Sequence, residues 1–563
     1  MIELPPALPL LLGAFVALAL RGRLRGAWLV ALPVVSWWLT LQWSPGDVRS
    51  FAWLGTEFVW LRVDALTMVF SHVFHLAAFL SAIYAWHEKD VLQPVTGTIY
   101  AGAAIAALFA GDLLTLFVYW ELTAVASVFL IWAARTKRAY RAGMRYLVIQ
   151  VGSGVLLLAG AILRYQETGS LTFERMTLGE PGAWPIFLAF GIKAAFPLLH
   201  NWLQDAYPES TAVGTVFLSA FTTKLAIYAL ARGFAGTESL IWIGAAMTAF
   251  PIFFAVIEND LRRVLAYSLN NQLGFMVVGI GIGTELSLNG TASHAFAHVI
   301  YKALLFMSMG AVLHRTGTCK GTDLGGLFRS MPFTAVCCIV GAVSISGFPL
   351  TSGFVSKSMI LSGAAEGHLT LTWLVLLLAS AGVLEHSGIK VPFFAFFAHD
   401  SGRRVEEAPW NMRIAMGIAA ALCLLIGCAP GLLYGLLPYP VDYVPYTAGH
   451  VITQLQLLMW AVLAFAVLKR YGWYPPELRS TILDTDWTYR RLIPRIGRVL
   501  APGFHGALDG LDGALDRLGR TAVRGVERFA GPAGPLGRTH AAGVTVLWIV
   551  VVFGMSLLLY SLR

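Results

Sequence analysis

Apolar residues in this chain gather into long runs near residues 5–20, 27–42, 58–85, 93–110, 113–134, 143–164, 183–203, 211–231, 238–257, 264–284, 291–313, 333–365, 370–398, 411–437, 450–468 and 543–561. Each run is separated from the next by a short polar or Gly/Pro-containing stretch. A hydrocarbon core roughly 30 Å thick is crossed by about 20 apolar residues, so the pattern predicts an all-α polytopic protein with about sixteen membrane-spanning helices. One stretch breaks the pattern. Residues 471–540 are polar and Gly-interrupted, but within them Leu508, Leu511, Leu515, Leu518, Ala522, Val526 and Phe529 recur every three or four positions, with Asp509, Asp512, Asp516, Arg517, Arg520 and Arg524 between them. That spacing predicts an amphipathic helix, either lying on lipid headgroups or bracing neighbouring subunits.

Composition agrees. Of 563 residues 57% are apolar and 13% charged, about half the roughly 25% charged content of soluble domains, which excludes a water-soluble globule. The formal charge of +9 does not indicate nucleic acid, because Lys and Arg sit in short loops between apolar runs. Arg21, Arg23 and Arg25; Arg135, Lys137, Arg138, Arg141 and Arg145; Arg262 and Arg263; Arg315, Lys320 and Arg329; Arg403 and Arg404; and Lys469 and Arg470 fall on one side under the sixteen-helix count. The positive-inside rule makes that side cytoplasmic and places both termini outside a bacterial inner membrane. Met1-Ile2-Glu3 is not a basic leader, so no cleaved signal peptide is expected. Cys319, Cys337, Cys338, Cys423 and Cys428 form no CxxC pair and no metal-binding spacing, so neither a metal nor a cofactor is expected.

Charges inside the apolar runs carry the functional signal. A Lys or Glu at mid-membrane costs at least about 2.5–3.5 kcal/mol on insertion scales, so each needs a partner or a task. Glu121 lies in Phe117–Leu122, Lys193 in Gly191–Pro197, Lys224 in Ser219–Leu225 and Lys357 just after Ser352–Ser356; Lys302 follows His294 and His298 at spacings of four, which puts all three on one helical face. Ion pairs that merely hold helices together would need matching acids, and there is one Glu for four Lys. An amine removed from water releases and regains a proton more readily, and imidazoles carry protons between such amines. Pro197 beside Lys193, and Gly347, Pro349 and Gly353 before Lys357, predict interrupted helices next to two of the lysines, about 150 residues apart, as in two related halves. Gly388-Ile389-Lys390 followed by Pro392 repeats part of the Lys193 motif at a helix end, where Lys390 is expected to snorkel to the surface.

These strings resemble the antiporter-like subunits shared by respiratory complex I (NADH:quinone oxidoreductase) and Mrp-type cation/proton antiporters. The resemblance covers roughly residues 60–400: Trp120-Glu121-Leu122; Lys193 to Pro197 continuing to His200, Trp202 and Asp205; Asp260 to Tyr267-Ser268; His298 to Lys302 and Phe306; and Gly347-Phe348-Pro349 to Lys357. It implies two inverted five-helix repeats with spans seven and twelve broken. It further implies proton translocation through Glu121 paired with Lys193, then Lys224, His294, His298, Lys302 and Lys357, with His200, Asp205, Tyr267 and Ser268 in support. Asn270-Asn271-Gln272 departs from the family's usual small hydroxyl residues there. The core is closest to the Mrp D type, and the extension resembles that of the distal antiporter-like member of complex I.

The expected organisation is three spans in 1–92, a first repeat in 93–231, a second repeat with a fourteenth span in 238–437, a span in 450–470, a lateral segment in 471–542 and a last span in 543–563. Expected partners are other membrane subunits, the bilayer, and H⁺ with Na⁺ as a candidate exchange ion, with no nucleic acid. The chain itself carries no catalytic chemistry. Alternatives are the membrane module of a redox-driven complex or of an energy-coupled inorganic-carbon uptake system, or a scaffold without conduction.

Overall fold

Short polar side chains at the start of the apolar runs decide where the helices begin. Asp64 accepts from Thr67 N, Asp112 from Thr115 N, Thr136 from Ala139 N and Thr211 from Gly214 N, each satisfying a backbone donor the first helical turn leaves open. The computed structural model describes residues 4–561 except 54, 480, 481, 483, 532, 533 and 536–541. Met1, Ile2 and Glu3, read above for a leader, lie outside the described residues.

The chain begins with α1 (Leu8–Ala19) and α2 (Gly22–Thr40), then a β-hairpin of β1 (Val48–Trp53) and β2 (Thr56–Arg62). There follow α3 (Ala65–Tyr84), α4 (Leu92–Phe109), α5 (Leu113–Trp132), α6 (Lys137–Thr168), α7 (Ala183–Lys193), α8 (Asn201–Ala206), α9 (Ala212–Ala220) and α10 (Thr222–Gly233). The later part holds α11 (Ser239–Ile257), α12 (Leu261–Ile282), α13 (Glu285–Thr316), α14 (Pro332–Ser346), α15 (Ser352–Glu366) and α16 (Thr370–Val383). Two π-helical turns, Leu384–Ile389 and Phe393–Phe397, flank the short α17 (Lys390–Pro392), and α18 (Trp410–Cys428), α19 (Gly431–Tyr434) and α20 (Ala448–Arg470) follow. Residues from Thr485 onward form a separate compact unit with α21 (Ile493–Ala530) and α22 (Ala542–Ser561).

The all-α membrane fold stands, with a different helix count. Among the described residues eleven helices are long and apolar enough to cross a membrane, fewer than the sixteen runs. Runs 183–203 and 333–365 break into shorter helices at Lys193 and Ser346, and α1 is short. The polar groups of α2 and α12, among them Arg23, Arg25, Arg262 and Asn270-Asn271-Gln272, leave both outside the eleven. The first part of run 58–85 is strand: Thr56–Arg62, rich in β-branched and aromatic residues, belongs to a hairpin, pinned where Asp112 Oδ2 accepts from Val59 N at 2.7 Å.

α13 runs through the middle of the first unit, buried from Ser287 to Val312 along nearly its whole length. By contrast α20 buries only Leu458 and Phe465. The 38-residue α21 is amphipathic, and its apolar side chains Leu515, Leu518, Val526 and Phe529 are exposed; the side chains of Leu508 and Leu511 lie outside those described.

Lys390 does not snorkel. It is fully buried, donates to Ala255 O and Val256 O at 3.2 and 2.5 Å, and pairs with Glu477 at 3.0 Å. Its counter-charge comes from the segment after α20, too distant in sequence for periodicity to reveal. The same segment places Tyr474 against Glu385 at 2.6 Å. Removing one partner of a buried pair leaves an uncompensated charge, at a cost of about 3–5 kcal/mol. Lys390→Ala is therefore expected to lower the thermal unfolding midpoint of the detergent-purified chain sharply, while Lys390→Met combined with Glu477→Gln loses much less; equal losses for the two would show that the pair is not what holds this segment.

Candidate functional site

Both predicted helix interruptions are present, and each is built by the backbone. After Lys193, the last residue of α7, Ala195 and Leu198 adopt φ of 62° and 70°, with Pro197 between them. After α14, Gly347 and Leu350 adopt φ of 72° and 69° around Pro349. Non-glycine residues in the left-handed region are strained, so the surroundings must hold these conformations. At the first break Trp202 Nε1 donates to Ile192 O at 2.9 Å; at the second, Gln454 Nε2 donates to Ser346 O at 3.1 Å. The carbonyls each break exposes thus find donors, as burial requires.

The lysines donate to other main-chain carbonyls. Lys357 Nζ donates to Ile345 O at 3.1 Å, where α14 ends, and Lys224 Nζ to Ser219 O at 2.5 Å, where α9 gives way to α10. Lys193 Nζ donates to Trp120 O at 2.6 Å and Thr123 Oγ1 at 2.9 Å and lies 4.3 Å from the centre of the Trp120 ring. All three are buried. A helix C-terminus carries roughly half a negative charge on its unpaired carbonyls, so Lys224 and Lys357 meet partial counter-charge without a carboxylate.

Glu121, on α5 beside Trp120, lies within electrostatic reach of Lys193, and its buried Oε1 has no hydrogen-bond partner among the described residues. Gly154 of α6 makes room for that carboxylate: a Cβ there would collide with Glu121 Oε1.

The α13 face predicted from the four-residue spacing is buried as a unit. His294, His298 and Lys302 are each 0% exposed. His294 Nδ1 lies 3.0 Å from Ser356 Oγ, next to Lys357, and its Nε2 lies 3.4 Å from Tyr301 OH. Tyr301 OH donates to Gln272 Oε1 at 3.1 Å, and Gln272 Nε2 to Asn271 Oδ1 at 2.6 Å. Both ring nitrogens of His298 and the amine of Lys302 are buried without a hydrogen-bond partner among the described residues. His298 is in electrostatic reach of Lys224, Lys302, His294 and Lys357. The structure therefore gathers Lys224, His298, Lys302, His294 and Lys357 into one buried neighbourhood, with Lys193 and Glu121 at a second.

The supporting residues divide. His200 and Tyr267 converge on Asp484, whose Oδ2 lies 3.1 Å from His200 Nε2 and 3.0 Å from Tyr267 OH. Asp205 binds Arg145 through two hydrogen bonds of 2.6 and 3.0 Å, a fork-shaped ion pair. Ser268 is buried and its hydroxyl has no hydrogen-bond partner among the described residues. Thr123, Ser356 and Tyr301 were not singled out by sequence reasoning, Asn271 and Gln272 only as a departure from the family's pattern, and His386 not at all, though it is buried with Nε2 unpartnered among the described residues and in electrostatic reach of Lys302, Lys390 and Lys357. Only for Asn271 and Gln272 was there a signal: three consecutive amides within an apolar run.

Residues 110–383 match the family described as NADH:quinone oxidoreductase/Mrp antiporter, TM. That segment belongs to this family of membrane subunits. The chain is 30% identical over 408 residues to the A/B component of a probable K(+)/H(+) antiporter of Rhizobium meliloti (strain 1021), a match covering 67% of this chain but 41% of that protein. It is 28% identical over 467 residues to the D component of the Na(+)/H(+) antiporter of Alkalihalophilus pseudofirmus (strain ATCC BAA-2126 / JCM 17055 / OF4), covering 76% of this chain and 94% of the relative. In fold it resembles a chain of the Mrp complex from Dietzia sp. DQ12-45-1b, with a TM-score of 0.77, 23% identity, and coverage of 98% of this chain and 66% of that one. The match to the first relative spans less than half of that relative's length.

The Gly154–Glu121 contact makes a structural prediction. Forcing an extra methyl into a packed site costs about 1–3 kcal/mol, so Gly154→Ala is expected to lower the thermal midpoint of the purified chain. Glu121→Ala in the same chain removes the clash and should restore most of the loss; failure to restore it would mean that Glu121 does not occupy the space beside Gly154.

Proposed function

We propose that this chain is the proton-translocating membrane subunit of a multisubunit cation/proton antiporter complex, of the bacterial inner membrane, with both termini outside. The observation that carries this reading is the buried set Lys193, Lys224, His298, Lys302 and Lys357 with Glu121 as its one central acid. Lys193, Lys224 and Lys357 donate to carbonyls and a hydroxyl rather than to a carboxylate, which leaves their charge state open to change. The names of the relatives, K(+)/H(+) and Na(+)/H(+) antiporter subunits, support an exchange with Na⁺ or K⁺ at the level of the complex. Residues 93–231 and 238–437 serve as two related halves, each with its interrupted helix.

In this scheme a proton from the cytoplasm loads Lys193, with Glu121 modulating its charge state. It then passes by way of Lys224 to Lys302 and His298, through His294 and Ser356, to Lys357. Water bridges the steps at which buried polar atoms lack protein partners, as such groups ordinarily require. Coupling works through distance. Moving one unit charge from about 4 to about 8 Å from another, at an effective dielectric constant of about 20, changes their interaction by about 2 kcal/mol, roughly 30-fold in an equilibrium. A shift of Glu121 relative to Lys193 therefore suffices to load or unload the amine, and His200, Tyr267 and Asp205 position the elements around that entrance.

The test is Lys193→Ala and, separately, Lys357→Ala in the assembled complex, with proton flux followed by a pH-sensitive dye in membrane vesicles. Each is expected to lower flux at least tenfold with the chain still assembled. Undiminished flux with either variant would overturn conduction along this route, and loss of assembly alone would favour the scaffold reading.

A further inference from the structure

Two of the three consecutive amides on α12, Asn271 and Gln272, join a line of hydrogen bonds that leads to His294 and Ser356. Every side chain in the line is buried. It starts at a backbone atom. Thr248 O, on α11, can only accept, so the Asn271 amide turns its nitrogen there. Asn271 Oδ1 then faces Gln272 and accepts from its Nε2 at 2.6 Å. Gln272 is left with Oε1 toward α13, where Tyr301 OH donates to it at 3.1 Å. A phenol has one hydrogen, and that of Tyr301 is engaged. Its oxygen, 3.4 Å from His294 Nε2, is left to accept from the ring. His294 therefore carries its hydrogen on Nε2, and its bare Nδ1 accepts from Ser356 Oγ at 3.0 Å.

We infer that Asn271 and Gln272 are positioning residues that hold His294 in the tautomer with hydrogen on Nε2, and so close the step from His298 to His294 at rest. This rests on the conduction reading and adds a stop to it. A proton moving toward Lys357 must arrive at Nε2 while another leaves Nδ1. The held ring has Nε2 occupied and no hydrogen on Nδ1 to give. The step opens when the Tyr301 hydroxyl turns from Gln272 Oε1 to donate to His294 Nε2. The ring then gains a proton at Nδ1 and releases the one at Nε2, both exchanged with water of the route, so its charge is unchanged. Tyr301 is placed for this, with its ring centre 6.2 Å from that of His294 and 5.3 Å from that of His298. Helix packing does not require the last links: Asn271 alone ties α12 to α11, whereas Gln272 and Tyr301 lead on to a titratable ring.

The test is ring-nitrogen magnetic resonance of the assembled complex with isotope-labelled histidine in this chain, the His294 signals being those lost in His294→Gln. The unmodified chain is expected to show N–H at Nε2 and a bare Nδ1. Gln272→Met keeps the side-chain length but offers Tyr301 no acceptor. In it the hydrogen is expected to move to Nδ1, and proton flux into vesicles under an imposed pH gradient, with no Na⁺ or K⁺ present, to rise at least threefold. Asn271→Leu frees the Gln272 amide to turn and is expected to give a mixture of the two forms. Gln272→Glu still accepts from Tyr301 and is expected to keep the original one. Hydrogen on Nδ1 in the unmodified chain, alone or together with Nε2, or an unmoved hydrogen in Gln272→Met, would overturn the assignment. A moved hydrogen with unchanged flux would overturn the stop. Lys357→Ala run alongside separates the two levels: if it lowers flux at least tenfold while Gln272→Met leaves flux unchanged, only the stop fails. If Lys357→Ala leaves flux undiminished, the conduction reading fails, and the resonance still reads the tautomer by itself.

Discussion

An ammonium buried in an apolar bundle must find negative charge, and this structure supplies it chiefly from the ends of helices. Lys224 reaches the carbonyl of Ser219 where α9 stops, Lys357 that of Ile345 where α14 stops, and Lys390 those of Ala255 and Val256 at the end of α11. An unpaired carbonyl at a helix C-terminus carries part of a charge. It favours the ammonium enough to permit burial and still accepts no proton itself. A full carboxylate at the same distance would fix the amine in its charged form. Lys390 shows that contrast, for Glu477 joins its carbonyls and the pair serves to hold the segment after α20 in place.

The helix breaks follow from the same requirement. Interior carbonyls of a continuous α-helix already accept an amide four residues on; Lys193 shares one of these, Trp120 O, whereas Lys357 uses Ile345 O where α14 stops. Pro349 brings no N–H to Ile345 O, four residues before it, and Lys357 takes that carbonyl; at the Pro197 break Ile192 O accepts from Trp202 instead. The left-handed conformations beside both prolines are strained and persist because Trp202 and Gln454 take up the remaining acceptors. Interrupting the helix, capping the interruption and docking the amine therefore depend on one another, and a change in one is felt in the others.

Much of this was legible in the sequence. The lysines in apolar runs, the prolines beside them and the four-residue spacing of His294, His298 and Lys302 depend on local pattern, and local pattern survives folding. The hairpin was missed because the consecutive apolar residues Phe58, Val59, Trp60 and Leu61 adjoin a long apolar helix and were absorbed into the same run. Hydropathy averages over a break: 333–365 reads as one run although Gly347 and Leu350 divide it, so among the described residues fewer single helices are long enough to cross a membrane than there are apolar runs. The acceptors of the amines were not legible at all. Trp120 O, Ser219 O and Ile345 O are backbone atoms, identical in every residue, and only the three-dimensional path of the chain brings them to a lysine. The same holds for Asp484 and Glu477, whose partners lie 284 residues away in the case of His200 and on the far side of α18 and α20 in the case of Lys390.

The two interrupted helices have lysines in unlike settings beside them. Lys193 is enclosed by Trp120 and Thr123 and has Glu121 near it, held in a space that Gly154 leaves. Its charge state answers to the position of one carboxylate. Lys357 has Ile345 O, the Phe275 ring at 5.0 Å and a cavity lined by both polar side chains, among them Ser358, Ser362 and His450, and apolar ones, among them Phe354, Leu361 and Trp373. Between them Lys302 has no acceptor among the described residues and only the Phe306 ring at 5.8 Å, the least favourable place on the route for an ammonium. On the proposed route, a proton resting at either end would therefore be separated from the other by a site at which it is costly to stop.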